Sequence, residues 1–214
     1  MVRTPLPVAP VFLSASAPDP QRNPTYFASA NLINIRDAVC SLAEIVVGEG
    51  QLVFGGHPAI SPMIGQIAQR LGSLGAVSIY QSEHFRAIVP PASLAWGTRI
   101  QWTPSAAAGR EASLEAMRLE MLGAGSQPRR YRAGFFIGGM EGVEREFELF
   151  RLHQPQAAFW PLASTGGAAR MLFDQHRATV FGQPAATRAP ANLDELLDGE
   201  LNYRKVVRTL LAVS

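Results

Sequence analysis

The sequence predicts an α/β protein with a doubly wound, mostly parallel sheet and helices on both faces. Three observations predict this fold class. Short apolar runs alternate with stretches of helical periodicity along the chain. The runs are largely apolar throughout, as in strands that are covered on both faces. The 214 residues, 47% of them hydrophobic, suit a single domain. We therefore treat residues 1–214 as one domain, with its core at about 11–210.

The first apolar run, residues 11–13, predicts the first strand. Prolines interrupt the stretch before it, which favours a strand over a signal peptide. Residues 31–47 carry apolar side chains at helical spacing, and Gly48 fits the left-handed position that ends a helix. Residues 51–54 form the second predicted strand.

The next elements begin at Ser61 and Pro62, which fit the N-cap and first position of a helix. This helix is predicted to run to about residue 74. The apolar residues 76–80 predict the third strand. Residues 98–102, which lie between prolines, predict the fourth.

The second half of the chain repeats the alternation of helix and strand. Residues 111–122 are rich in helix-forming residues, and residues 133–137 have no polar side chain. Residues 143–152 predict the next helix and residues 157–162 the sixth strand. Helices predicted at 167–175, 194–197 and 203–213 complete the chain.

Composition excludes several classes of function. The 19 Lys and Arg nearly balance the 17 Asp and Glu, and no block of five like charges occurs, so nucleic acid is not an expected partner. Cys40 is the single cysteine, which excludes an internal disulfide and a Cys-rich zinc site. No run of about 18 apolar residues predicts a membrane span. We expect a cytoplasmic protein without a metal, a membrane partner or a resident cofactor.

Small residues follow four of the predicted strands. In doubly wound sheets, ligands bind beyond the carboxyl ends of the strands, where loops lead into helix N-termini. Glycine allows close approach to the backbone, and helix N-termini favour phosphate. Each loop alone is common in α/β proteins, but the four together indicate a nucleotide-type ligand. The ligand-binding candidates are Ser14, Ser16, Gly55, Gly56, His57, Gly138, Gly139, Met140, Glu141, Gly142, Thr165, Gly166 and Gly167.

Glu146 and Arg118 are the candidates for chemistry. Glu146 lies just beyond the first turn of the predicted helix, near the glycine loop. Its carboxylate would accept hydrogen bonds from ribose hydroxyls or stabilise an oxocarbenium ion. Arg118 would bind a phosphate. A solvated acidic face and an exposed arginine fit the same pattern. Neither G-x-G-x-x-G nor a P-loop is present, which disfavours a dinucleotide dehydrogenase and a P-loop NTPase.

Four segments together resemble the SLOG superfamily, named for Smf/DprA and the LOG proteins. They are VFLSASAPDP, LVFGGHPAISPMI, FFIGGMEGVEREFELF and PLASTGGAA. The resemblance is to the branch associated with sirtuin and TIR domains, which includes the C-terminal domain of the Thoeris defence effector. It implies a Rossmann-like sheet that senses a cyclic ADP-ribose-type signal made from NAD. The LOG enzymes carry P-G-G-x-G-T-x-x-E, whereas Ile137 and Val143 replace the Pro and Thr here.

Three functions remain open, besides that of a scaffold whose pocket has lost its ligand. The first is a non-catalytic sensor in antiphage defence, expected to be a homo-oligomer or to act through a TIR- or sirtuin-type effector chain. The second is a LOG-like phosphoribohydrolase that cleaves nucleotide 5′-monophosphates and uses Glu146 and Arg118. The third is a DprA-like single-stranded DNA binder, for which Trp96, Arg99 and Trp102 are the candidate cluster.

Overall fold

A computed structural model describes residues 9–89 and 99–214. Its single sheet is built from β1 (Val11–Ser16), β2 (Leu52–Gly55), β3 (Val77–Ser82), β4 (Arg99–Thr103), β5 (Ala133–Gly138) and β6 (Ala158–Leu162). All six strands are parallel, in the order β4-β3-β2-β1-β5-β6. The six predicted strands are confirmed.

Helices cover both faces of the sheet, which confirms the doubly wound fold class. The helices of the described residues are α1 (Pro24–Ser29), α2 (Leu32–Glu49), α3 (Ser61–Arg70), α4 (Arg110–Met121), α5 (Glu141–His153), α6 (Gly167–Gly182), α7 (Leu193–Asp198) and α8 (Tyr203–Val213). Helix α2 packs against α3 and α8, whereas α4 packs against α5. None of these helices has the length and apolar character needed to cross a bilayer.

Four helix boundaries differ from the prediction. Helix α3 ends at Arg70 and not near residue 74, because the chain turns at Gly72, which has positive φ. Gly48 does not end α2, which continues to Glu49, and the Gly50 N–H bonds the Val46 carbonyl instead. Ser61 is not an N-cap, because it is the first helical residue of α3 and its Oγ accepts a hydrogen bond from the His57 N–H. Helix α6 extends beyond the predicted end, past a kink at His176.

The strand order reverses between β1 and β5. Strands β1 to β4 extend to one side of this point, and β5 and β6 lie on the other. Ser14 pairs with Phe136, and Ser16 pairs with Gly138. The carboxyl ends of β1 and β5 therefore meet at the topological switch point, where doubly wound sheets bind ligands.

An aromatic cluster fixes α5 against β1 and β5. Val143, Phe147 and Phe150 have the spacing of one helix face and are buried. The Phe150 ring stacks on Phe12 of β1 at 5.3 Å between centroids, and Phe147 meets Phe136 of β5 edge-on at 5.0 Å. This packing holds the N-terminus of α5 beyond the switch point.

Candidate functional site

A cavity of about 400 Å³ opens at the carboxyl ends of β1, β2 and β3. The N-terminal part of α5 and one face of α4 form its other walls, and Gly142 and Glu146 of α5 line it one helical turn apart. A cavity of this volume is in the range that binds small molecules.

Glu146 projects into this cavity as the sixth residue of α5. The Ser14 hydroxyl on β1 donates a hydrogen bond of 2.6 Å to Glu146 Oε2. Arg118 Nε lies 3.6 Å from Oε1, which is beyond hydrogen-bond distance. Within the described residues Oε1 therefore accepts no hydrogen bond and is available to a ligand.

The pKa of Glu146 is raised from its ordinary value. Burial of the carboxylate is the largest cause, and it outweighs the opposing effects of the Arg118 charge and the Ser14 hydrogen bond. The Glu146 side chain is only 14% exposed. A raised pKa in a cleft, next to a specific charged partner, is typical of functional carboxyl groups.

Three arginines contribute cationic side chains to the cavity. Arg22, Arg110 and Arg118 line it together with Glu146. Their ion pairs are loose: the closest charged atoms of Arg22 and Glu141 are 3.7 Å apart, and Arg118 Nε has no hydrogen-bond partner in the described structure. Guanidinium groups with donors to spare suit a phosphate ligand.

Two glycines with positive φ turn the chain from β5 into α5: Gly138 (57°), the last residue of the strand, and Gly139 (88°). A Cβ on Gly139 would lie 2.2 Å from the Val143 side chain, so the turn requires glycine. No side chain caps the N-terminus of α5 within the described residues. Its first N–H groups, with the positive end of the helix dipole, favour an anion at this end of the cavity.

A model of the SLOG cluster3 family matches residues 25–187, about three quarters of the chain. The protein belongs to the SLOG cluster3 family. The match confirms the predicted SLOG membership, whereas the similarity to the Thoeris effector stays a prediction. Curated proteins give no match to the chain. The matched segment contains α4, α5 and the glycine turn, while Ser14, Ser16 and Arg22 precede it.

In this SLOG protein the structure brings about half of the predicted site residues to the cavity. The predicted residues that line it are Ser16, Gly55, Gly56, His57, Met140, Gly142, Glu146 and Arg118. Ser14 is buried beneath Glu146. Glu141 lies outside the cavity and accepts a hydrogen bond from the Asn23 side chain.

The loop after β6 supports the glycine turn without lining the cavity. The buried Thr165 Oγ1 accepts a hydrogen bond from the Gly138 N–H at 2.8 Å and donates one to the Leu162 carbonyl at 2.6 Å. A Cβ on Gly167 would lie 2.7 Å from the Gly139 carbonyl oxygen. The Cβ of a residue at Gly166 would meet the backbone of Ser29. This loop therefore holds the turn in place through the hydrogen bonds of the Thr165 side chain and through close backbone packing at Gly167.

His57 lines the cavity with a constrained ring. Its Nδ1 accepts a hydrogen bond from the Ala59 N–H, so the neutral ring carries its proton on Nε2. Burial lowers the pKa of His57, and the charge of Arg22 lowers it further. Near pH 7, His57 is therefore a neutral imidazole whose Nε2–H can donate a hydrogen bond.

The sequence prediction missed a second set of cavity residues. One face of α4 lines the cavity with four side chains, of which only Arg118 is among the predicted candidates. The four are Arg110, Leu114, Met117 and Arg118. Their helical spacing is a signal visible in the sequence. Among the other missed residues are Arg22, Phe85, Ile88 and Val89. They follow no motif and reach the cavity only through the fold.

Metal binding and DNA binding are the other two kinds of site that the sequence analysis considered. Across residues 9–89 and 99–214, no group of three His, Cys, Asp or Glu has metal-binding geometry. Of the proposed DNA-binding cluster, Trp96 lies outside the described residues, and Trp102 stacks under the Arg86 guanidinium at 4.3 Å from its ring centroid.

Proposed function

We propose that this SLOG protein binds a nucleotide-derived ligand at the β1–β5 switch point and acts as a sensor. The position of Glu146 carries the proposal. Its carboxylate lies in the cavity with Oε1 available, beside Arg118 and the uncapped N-terminus of α5. The ribose hydroxyls would donate to Glu146, and a phosphate would bind Arg118 and the first N–H groups of α5.

The proposed ligand class is a cyclic ADP-ribose-type signal derived from NAD. The three arginines around the cavity support a ligand with more than one phosphate. The replacement of the LOG motif's Pro and Thr by Ile137 and Val143 supports binding without turnover. The output of such a sensor would be altered self-association or contact with a TIR- or sirtuin-type effector in antiphage defence.

The test is a thermal-shift panel with NAD, ADP-ribose, cyclic ADP-ribose isomers and AMP, followed by chromatography of each ligand. A ligand at 100 times its Kd stabilises the fold by about 2.7 kcal/mol, or roughly 5–11 °C for a domain of this size. Glu146→Gln removes charged hydrogen bonds and should weaken binding at least tenfold. Glu148→Gln, an exposed change on the same helix, is the matched control. Absence of a shift with every ligand would refute the proposal.

A second candidate is hydrolysis of a nucleotide 5′-monophosphate to free base and ribose 5-phosphate. The Glu146–Arg118 pair favours it, because a buried carboxylate beside a phosphate-binding arginine would stabilise a ribosyl cation. Release of base from AMP by the wild-type protein, but not by Glu146→Gln, would establish this activity in place of sensing.

A further inference from the structure

One half of the cavity is apolar, and the ribose and phosphate contacts proposed above do not use it. Phe85, Ile88 and Val89, in the segment that follows β3, form one of its walls, and Leu114 and Met117 of α4 form another. Ile88 is 73% exposed. A flat apolar group that entered here would remove this side chain from water, which is favourable.

An amide lies within this apolar half. Gln81, near the carboxyl end of β3, lines the cavity, and its Nε2 donates a long hydrogen bond of 3.4 Å to the Gly56 carbonyl. A Cβ at Gly56 would lie 2.6 Å from Nε2 and would displace the Gln81 side chain from this position. Gln81 Oε1 accepts no hydrogen bond from the described residues, and Nε2 keeps a second hydrogen to donate.

The position of Gln81 matches the layout of a nucleotide. Strand β3 is two strands away from β1, on which Ser14 holds Glu146, and two strand spacings correspond to roughly 10 Å. A ribose at Glu146 would therefore direct its base toward Gln81 and Phe85, while its phosphate lies at α5.

We infer that the apolar half binds a purine base and that Gln81 recognises its hydrogen-bonding edge. The inference rests on the proposed function, since the base enters as part of the nucleotide. The amide offers an acceptor and a donor side by side, which is the complement of the adenine edge at N6 and N1 or N7. A carboxylate at this position would offer two acceptors, which are complementary to the N1–H and N2–H donors of guanine.

Isothermal titration calorimetry with AMP, GMP and ribose 5-phosphate tests the assignment. The wild-type protein should bind AMP at least tenfold more tightly than ribose 5-phosphate. Gln81→Leu and Phe85→Ala should each lower AMP affinity about tenfold and leave ribose 5-phosphate affinity unchanged. Gln81→Glu should raise the ratio of GMP to AMP affinity at least tenfold. Gln101→Leu, on β4 and outside this cavity, is the control.

Each outcome separates the base site from the proposed function. Equal affinity for AMP and ribose 5-phosphate, or unchanged AMP affinity in Gln81→Leu and Phe85→Ala, overturns the base site and leaves nucleotide binding standing. If none of the three probes binds the wild-type protein, the base site is overturned, and the proposed function is then decided by the NAD-derived ligands of the thermal-shift panel. If the Gln81→Glu variant does not fold, the AMP affinities of Gln81→Leu and Phe85→Ala still test the base site.

Discussion

Thr165→Val should destabilise the protein because the Thr165 hydroxyl supports the turn before α5. The Thr165 side chain is fully buried. Its hydroxyl accepts a hydrogen bond from the Gly138 N–H and donates one to the Leu162 carbonyl. Valine has nearly the same shape but forms neither bond. A buried backbone donor without a partner costs about 1–3 kcal/mol, and the lost bond to Leu162 adds about 1 kcal/mol. We expect a loss of about 3 kcal/mol in the free energy of unfolding.

Chemical denaturation and thermal unfolding measure this change. A loss of 3 kcal/mol lowers the Tm of a domain of this size by roughly 6–12 °C. Thr165→Ser is the control, because it keeps both hydrogen bonds and loses a methyl group worth about 1 kcal/mol. A Val variant as stable as the wild type, or a Ser variant as unstable as Val, would refute the supporting role. Normal stability with weakened ligand binding would instead indicate that Thr165 contacts the ligand.

Three further changes test other parts of the structure. Gly134→Ala should cost about 1–3 kcal/mol in denaturant unfolding, because its Cβ would lie 2.8 Å from Phe150 Cζ. Tyr131→Phe should cost about 1–2 kcal/mol by the same assay, since the Tyr131 hydroxyl donates to the buried Met121 carbonyl at 2.5 Å. Burial raises the pKa of Glu146, so its native carboxyl binds a proton more tightly than in the unfolded chain and its stabilising contribution is lost as pH rises. The Glu146→Gln variant should therefore have a higher Tm than the wild type at pH 8, and the difference in Tm should vanish below the ordinary glutamate pKa of 4.5. A variant Tm below that of the wild type at pH 8 would contradict the direction of the pKa shift.

The strands were predictable because fully buried parallel strands are apolar along their whole length. Residues 133–137 are an example, and β5 is buried throughout. Helix ends were less predictable. Gly48 does not have the positive φ of a left-handed residue, and the helix continues through it to Glu49. Helix α1 has only six residues, too few for a periodic pattern, although Asn23 and Pro24 are a cap and first-turn signal.

The candidate site was predictable only in part, for a reason of geometry. Sequence places the loops after parallel strands at one edge of the sheet, and this located Gly55, Gly142 and Glu146 at the cavity. The sequence does not show which of these loops lines the cavity and which lies beneath another loop. Thr165 was therefore predicted to contact the ligand, although it lies beneath the glycine turn. Arg22 lies in the loop between β1 and α1, but no motif distinguishes it from the other residues of that loop, and only the folded chain shows that it reaches the cavity.

The glycines of this edge differ in what a mutational library would tolerate. At Gly138 and Gly167 the backbone has positive φ and a Cβ would meet atoms closer than 3 Å, so every substitution should be lost in a selection for folded protein. At Gly55 and Gly142 the nearest atom to a Cβ is 3.5 Å away or more, so alanine fits. Depletion of alanine at Gly55 and Gly142 in a selection for function alone would therefore mark where the ligand lies.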